Sequence, residues 1–365
     1  PLGGDVAGGM NVYVRELARA FSRQGARVDV FTRMSEEGAP DLIEIAPGAR
    51  MAQIPAGPRR DLHKDDLFPL TGPFAEGIEA FAARQGTRYN IISAHYWLSG
   101  VAGSLLARRW GVPLAIRFHT LGLQKNRSLP SLNGHESSSR IFAEGGLAQK
   151  AEALFASSAA EAEMLRGDLE AEESRIHVVP CGVDLERFAS VPREAARAAL
   201  GVKKEDILIL SVGRVEPVKG LDRLIEVIAH LKALRPGLPL RAIHVGGAVR
   251  NGNGRPPSAG LGPEAFTSSL QRAEVRRILR MAQEKGVSEF AFVGAKLQEE
   301  LPRYYSAADT LAIPSRYETF GLVALESAAC GLPAVAFDVG GLSHSIETGV
   351  SGQLVPDGNI GAFTE

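Results

Sequence analysis

Cysteine is nearly absent from this chain. Cys181 and Cys330 are the only two in 365 residues, far apart and each in an apolar neighbourhood. That argues against a disulfide framework and for a reducing cytoplasm. An excess of either charge is also missing, since 41 Lys and Arg face 42 Asp and Glu. Without a basic surplus nucleic acid is not a natural partner, and without an acidic tail disorder is not suggested. No run approaches the ~18 apolar residues that would span a bilayer, and no signal peptide stands at the start. What remains is an ordinary globular composition, 45% apolar, over a length that suggests two domains. The chain opens at Pro1 and stops at Glu365 after a polar turn. Both ends therefore read as truncated, with lower stability and activity expected than for the full gene product; equal melting temperature and turnover would refute that.

The pattern alternates strand and helix in two stretches. A glycine-rich loop, Gly3 to Gly9, leads into a helix with apolar Val12, Val14, Leu17, Ala18 and Phe21, closed by Gly25, and strand 27–32 follows. Further strands are predicted at 90–94, 114–118, 153–156 and 176–179, with helices around 74–85, 97–109, 137–151 and 158–166. Pro180-Cys181-Gly182-Val183-Asp184 is turn chemistry, so residues 1–180 read as one domain, 181–204 as a linker with a short polar helix at 192–200, and 205–365 as a second domain. The second stretch begins at strand 206–212. It continues through helix 219–234, strand 240–245, a polar loop at 247–263, helix 268–285, strand 289–293, helix 297–308, strand 310–313, helix 321–330 and strand 333–337. Strands separated by helices imply parallel βαβ units, hence an α/β fold of two Rossmann-like halves with a cleft between them.

Glu318 and Glu326 carry the most information. They stand in Tyr317-Glu318-Thr319-Phe320-Gly321-Leu322-Val323-Ala324-Leu325-Glu326, after the apolar run Thr310 to Pro314. That places Glu318 in a loop at the carboxyl end of a strand, the edge where open α/β sheets bind ligands. Two carboxylates there can hold sugar or ribose hydroxyls while the N–H groups of Phe320, Gly321 and Leu322 face a phosphate. A capping Glu and a solvated helix Glu are the bland alternative. Gly213-Arg214-x-x-x-x-Lys219-Gly220 likewise closes a strand and opens a helix. Arg can fork two phosphate oxygens and Lys acts as a mobile point charge, although a solvated helix start would look similar. His119 ends the apolar strand 114–118, where a neutral imidazole can bond a hydroxyl or move a proton or be merely structural. The Gly3–Gly9 loop lacks Gly-x-Gly-x-x-Gly spacing, so a dinucleotide reading is weak.

With Gly8-Gly9-Met10-Asn11-Val12-Tyr13-Val14, His95-Tyr96-Trp97-Leu98-Ser99-Gly100, His119-Thr120-Leu121 and Val179-Pro180-Cys181-Gly182-Val183-Asp184 added to these segments, the chain resembles the retaining glycosyltransferases of family four, with the GT-B fold. The likeness covers nearly the whole chain. It leans toward the branch acting on inositol phosphate, with the sucrose-phosphate synthases as near relatives. The resemblance implies that Arg214 and Lys219 bind the donor diphosphate, Glu326 the ribose and Glu318 the hexose. It gives His119 a catalytic place and sets Gly8 and Gly9 against the donor phosphate. A uracil pocket would lie near Gly294 and Gln298, making the donor a UDP-sugar. Met10 and Asn11 would face the acceptor, whose phosphate would be held by Lys64, Tyr96, Thr120 and Arg140, with Lys125 a further cation. No Asp-x-Asp stands at a strand end, so cationic side chains rather than a metal, and no cofactor beyond the nucleotide sugar, are expected. Closure of the two domains would exclude water.

Ser-Arg-Tyr-Glu around Glu318 departs from the Tyr-Asn-Glu of the closest branch, which leaves the sugar, glucose or N-acetylglucosamine, open. Gly8 to Asn11 favour inositol phosphate as acceptor, and Lys64-Asp65-Asp66-Leu67-Phe68-Pro69 keeps fructose 6-phosphate in play. A lipid- or glycan-directed enzyme of the family would share the donor motifs, but the first domain shows only scattered bases such as Arg59 and Arg60 in place of a basic amphipathic face. A nucleotide-sugar-binding protein without turnover is the other rival, opposed by intact Arg214, Lys219, Glu318 and Glu326. A homodimer is plausible from the family alone.

Overall fold

The computed structural model describes residues 9–60, 62, 64–129, 135–247 and 260–365, without the side chains of Lys64 and Asp65. Among the described residues the chain divides into two compact α/β units, one holding Gly9–Asn126 and His135–Val179, the other Pro180–Glu365 together with residues 127–129.

The N-terminal unit carries β1 (Val28–Arg33), β2 (Leu42–Ala46), β3 (Ala49–Ile54), β4 (Ile92–His95), β5 (Leu114–Arg117), β6 (Ala153–Ala156) and β7 (Ile176–Val178). They form two sheets, β1-β3-β2 and the fully parallel β4-β5-β6-β7. Every residue of β5 is buried, as befits a strand covered on both faces. Helices Trp97–Trp110 and Ser138–Ala148 cross closely on this sheet. A side chain on Gly100 would come within 2.7 Å of Leu147, and one on Gly103 within 3.1 Å of Leu114. The hairpin β2–β3 has no counterpart in the sequence expectations: β2 carries Leu42, Ile43 and Ile45 but is only five residues long and is largely exposed.

The C-terminal unit carries β8 (Ile207–Val212), β9 (Leu240–Val245), β10 (Phe290–Gly294), β11 (Thr310–Ile313), β12 (Ala334–Phe337) and β13 (Gly352–Val355). The order is β10-β9-β8-β11-β12-β13, all parallel. The chain builds outward from β8 in one direction and from β11 in the other. The boundary between those two strands is therefore a topological switch point, the place where ligands bind in such sheets.

Residues 181–204, read from the sequence as a linker, pack within this unit. Helix Arg193–Leu200 buries Arg197, which donates to Ala307 O at 3.1 Å and Lys203 O at 2.7 Å and reaches Asp309 Oδ2 at 3.3 Å. The helix expected at 297–308 is shorter, Leu301–Ala307, with Pro302 in its first turn, where proline's missing N–H costs nothing.

Candidate active site

The loops that leave β8 and β11 abut at the switch point. Pro217–Lys219 makes a single 3-10 turn, and Gly220 takes a left-handed conformation with φ 66°. A Cβ on Gly220 would lie 2.0 Å from Pro314 O, so only glycine lets the loops approach this closely. Arg316 then fastens them. Its backbone N–H donates to Val218 O at 2.8 Å, and its guanidinium forks Asp222 at 2.8 and 2.7 Å.

This clasp sets Lys219 Nζ 2.5 Å from Glu318 Oε2. Arg214 lies on the same loop, half-exposed, with its guanidinium 2.7 Å from Glu216 Oε1. Glu318 is held from behind by its carbonyl, which accepts from Gly341 N–H at 2.9 Å. Phe320 O accepts from Ser345 Oγ, Gly321 turns left-handed at φ 84°, and Leu322 opens the helix Leu322–Ala329. Glu326, inside that helix, accepts from the Tyr305 hydroxyl at 2.7 Å. Burial pushes the Glu326 carboxyl up to about 7, against the opposing pull of that hydrogen bond.

Gly294 ends β10 on the same carboxyl edge, two strands from β8. Gln298 accepts from Arg187 at 3.2 Å. Thus Arg214, Lys219 and the Glu318–Glu326 segment share one place, with Gly294 and Gln298 further along the edge. Arg316, Asp222 and Tyr305 are additions that sequence reasoning missed. Arg316 was visible only as the departure in Ser-Arg-Tyr-Glu.

The N-terminal unit places a second group at the carboxyl ends of β4 and β5. Tyr96 (φ 78°) and His119 (φ 62°) follow these strands in left-handed conformations, which among the described non-glycine residues recur only at Glu170. Such strain costs on the order of 1–3 kcal/mol and persists where the surroundings impose it. His119 Nε2 lies 2.9 Å from His95 Nδ1, and His95 Nε2 lies 3.3 Å from Ser93 Oγ. Burial, reinforced by the Arg117 charge, lowers His95 to about 4. Burial also takes His119 well below its ordinary value, with help from His95 and Arg117. Both rings are neutral at pH 7, so one nitrogen of the pair donates and the other accepts. The Tyr13 ring closes over them, 5.2 Å from His119 and 5.7 Å from His95. Arg117 stacks on Tyr13 at 4.9 Å and donates to Val179 O at 2.7 Å. The His95 partnership escaped the sequence reading.

Beside the histidines, Arg140 is buried, 2% exposed. It donates to Tyr96 Oη at 3.0 Å, to Thr120 O at 2.7 Å, to Thr120 Oγ1 at 3.0 Å and to Glu144 Oε1 at 2.6 Å. Glu136 Oε2 lies 3.1 Å away. Lys125 Nζ is 2.8 Å from the other Glu136 oxygen. Tyr96, Thr120, Lys125 and Arg140 thus lie together, around two carboxylates the sequence reading did not include. Gly9, Met10 and Asn11 open the helix Gly9–Arg23 that carries Tyr13. Lys64 begins the short helix Lys64–Leu67; its side chain, and all of Gly8, lie outside the described residues. Among the described residues no group of three or more His, Cys, Asp or Glu side chains could hold a metal, and no helix is long and apolar enough to cross a membrane.

Comparison with known proteins follows this division. Residues 8–182 match the family model of the glycosyl transferase 4-like domain, and residues 192–365 that of glycosyl transferases group 1. The D-inositol 3-phosphate glycosyltransferase of Jonesia denitrificans is 39% identical over 356 residues, 96% of this chain and 80% of that one. Its counterpart from Nocardiopsis dassonvillei is 40% identical over 351 residues, covering 96% and 78%. Among solved structures, sucrose-phosphate synthase from Thermosynechococcus elongatus superposes with a TM-score of 0.85 at 32% identity, over 100% of this chain and 84% of that one. Anabaena HepE, solved with UDP and glucose, gives 0.72 at 20% identity over 99% and 87%, a likeness of fold alone.

Proposed function

This chain belongs to the glycosyltransferases that pair a 4-like domain with a group 1 domain in the GT-B fold, and on that premise we propose that it moves a hexose from a UDP-sugar to inositol phosphate, with retention. The observation that carries the donor half is the Lys219–Glu318 contact of 2.5 Å at the switch point. A diphosphate sugar divides that pair: its phosphates take Lys219 and Arg214, and its hexose hydroxyls take Glu318. Glu326 accepts from the ribose, and neutral His119 bonds a sugar hydroxyl.

In the reaction the bond from the anomeric carbon to the β-phosphate oxygen breaks, and the electron pair leaves with UDP. Arg214 and Lys219 offset the charge that develops there. The acceptor hydroxyl oxygen bonds the anomeric carbon from the same face, and its proton passes to the departing phosphate. Glu318 orients the hexose and stabilises positive charge on the ring.

The acceptor half draws on the activity for which the relatives are named and on the gathering of Tyr96, Thr120, Lys125 and Arg140. Transfer to fructose 6-phosphate is the second reading, favoured by the likeness to sucrose-phosphate synthase. The test is UDP release from UDP-glucose and UDP-N-acetylglucosamine with each acceptor, and NMR assignment of the product's anomeric centre. An α-linked product formed from an α-linked donor supports the proposal. An inverted centre, or UDP release that needs no acceptor, contradicts it.

A further inference from the structure

Arg140 makes five polar contacts, with Tyr96, Glu136, Glu144 and twice with Thr120. A guanidinium has five N–H groups. Its donors are therefore spoken for by side chains and backbone of its own unit. An acceptor phosphate can use Arg140 only if one partner gives way.

The four charged members of the cluster, Arg140, Lys125, Glu136 and Glu144, sum to zero. A phosphate added to the intact set would stand beside a carboxylate in a low-dielectric site, where like charges repel strongly. One carboxylate has to leave, and the two are held differently. Glu144 is fully buried, sits within helix Ser138–Ala148 and also accepts from Gly122 N–H at 2.8 Å. Glu136 precedes the helix's capping residue, Ser137. Its backbone is clasped by Asn126 at 2.6 and 3.1 Å, so its side chain can rotate without loosening the chain. Its two oxygens bridge both cations, Lys125 at 2.8 Å and Arg140 at 3.1 Å. Lys125, with its side chain 19% exposed, is the cluster's cation nearest solvent.

We propose that Glu136 is a resident anion in the acceptor-phosphate subsite, exchanged for the phosphate when the acceptor binds. This rests on the phosphorylated acceptor proposed above. The exchange makes Glu136 a selectivity residue: an acceptor without phosphate cannot take over its two cations and leaves it in place.

The experiment titrates inorganic phosphate into wild type, Glu136→Gln and Glu144→Gln, and measures KM for phosphorylated and dephosphorylated acceptors. Removing the competing charge in Glu136→Gln is expected to tighten phosphate about tenfold and to lower the phosphorylated acceptor's KM in proportion. The KM for the UDP-sugar stays unchanged, and Glu144→Gln weakens phosphate. Equal weakening in both variants, or no phosphate binding in any of the three, overturns the exchange. If Glu136→Gln does not fold, a wild-type crystal soaked in phosphate decides instead. Phosphate on Arg140 and Lys125 with Glu136 turned away supports the exchange; phosphate beside an unmoved Glu136 overturns it. Wild-type turnover indifferent to the acceptor's phosphate defeats the acceptor assignment separately, whatever the phosphate titration gives.

Discussion

The two units treat charge in opposite ways. At the switch point of the C-terminal unit, Arg214 and Lys219 sit on carboxylates with their side chains 45% and 22% exposed. In the N-terminal unit Arg140 and its two glutamates are all 2% exposed or less. Pairs open to water are worth about 0–1 kcal/mol and part readily. Buried ones have already lost their water, so removing any one member leaves an uncompensated charge and is strongly destabilising. The first arrangement suits a site that takes up and releases a multiply charged nucleotide at each turnover. The second suits a site that discriminates, because every polar group left unmatched there is costly.

The largest effect that sharpens this contrast is on catalysis. Lys219→Ala is expected to lower kcat by about 10²–10³ with little change in melting temperature, measured by UDP release and thermal scanning. Arg140→Ala is expected to do the reverse in kind. It leaves buried Glu144 without its cation and Glu136 with Lys125 alone, and costs about 3–5 kcal/mol of stability, read by urea denaturation. Comparable destabilisation by both variants would break the contrast.

A smaller effect concerns pH. The Glu326 carboxyl, held at about 7 by burial, is ionised above that value and neutral below it. The KM for the UDP-sugar is expected to rise as pH falls through about 7. Tyr305→Phe removes the hydrogen bond that opposes the shift, so the rise should move to higher pH. A pH-independent KM would remove Glu326 from donor binding. His95 is shifted in the opposite direction. Its folded value, about 4, lies below its ordinary 6.5, so its contribution to stability is complete above pH 6.5 and fades as pH falls toward 4. His95→Asn should flatten that loss in a denaturation series. The smallest expected change is in Arg316→Met, which removes the fork on Asp222 and should cost about 1–3 kcal/mol while lowering kcat through Lys219 and Glu318.

The grouping at the β8–β11 edge was legible because its residues are local. A glycine, an arginine and a lysine after one strand, and two glutamates after another, each lie within a few residues at a strand end. Alternating strands and helices gave the parallel sheets for the same reason. What stayed hidden depends on distant residues meeting. His95 and His119 are 24 residues apart, and Arg316 and Asp222 are 94 apart. Nothing in either segment names its partner. Arg140 was readable as a cation but not as a saturated one, since Glu136 ahead of the helix and Glu144 within it look like ordinary surface charges until the fold buries them. The hairpin β2–β3 and strand β13 were missed because segments of four to six residues are too short for periodicity to tell strand from loop.

The most direct test is the ratio of kcat/KM for inositol phosphate to that for inositol, in wild type and in Arg140→Ala. A ratio of about a hundred or more in wild type, the worth of two charge-assisted contacts, collapsing toward one in the variant, is the predicted result. A wild-type ratio near one would contradict the assignment of the buried cluster to the acceptor's phosphate.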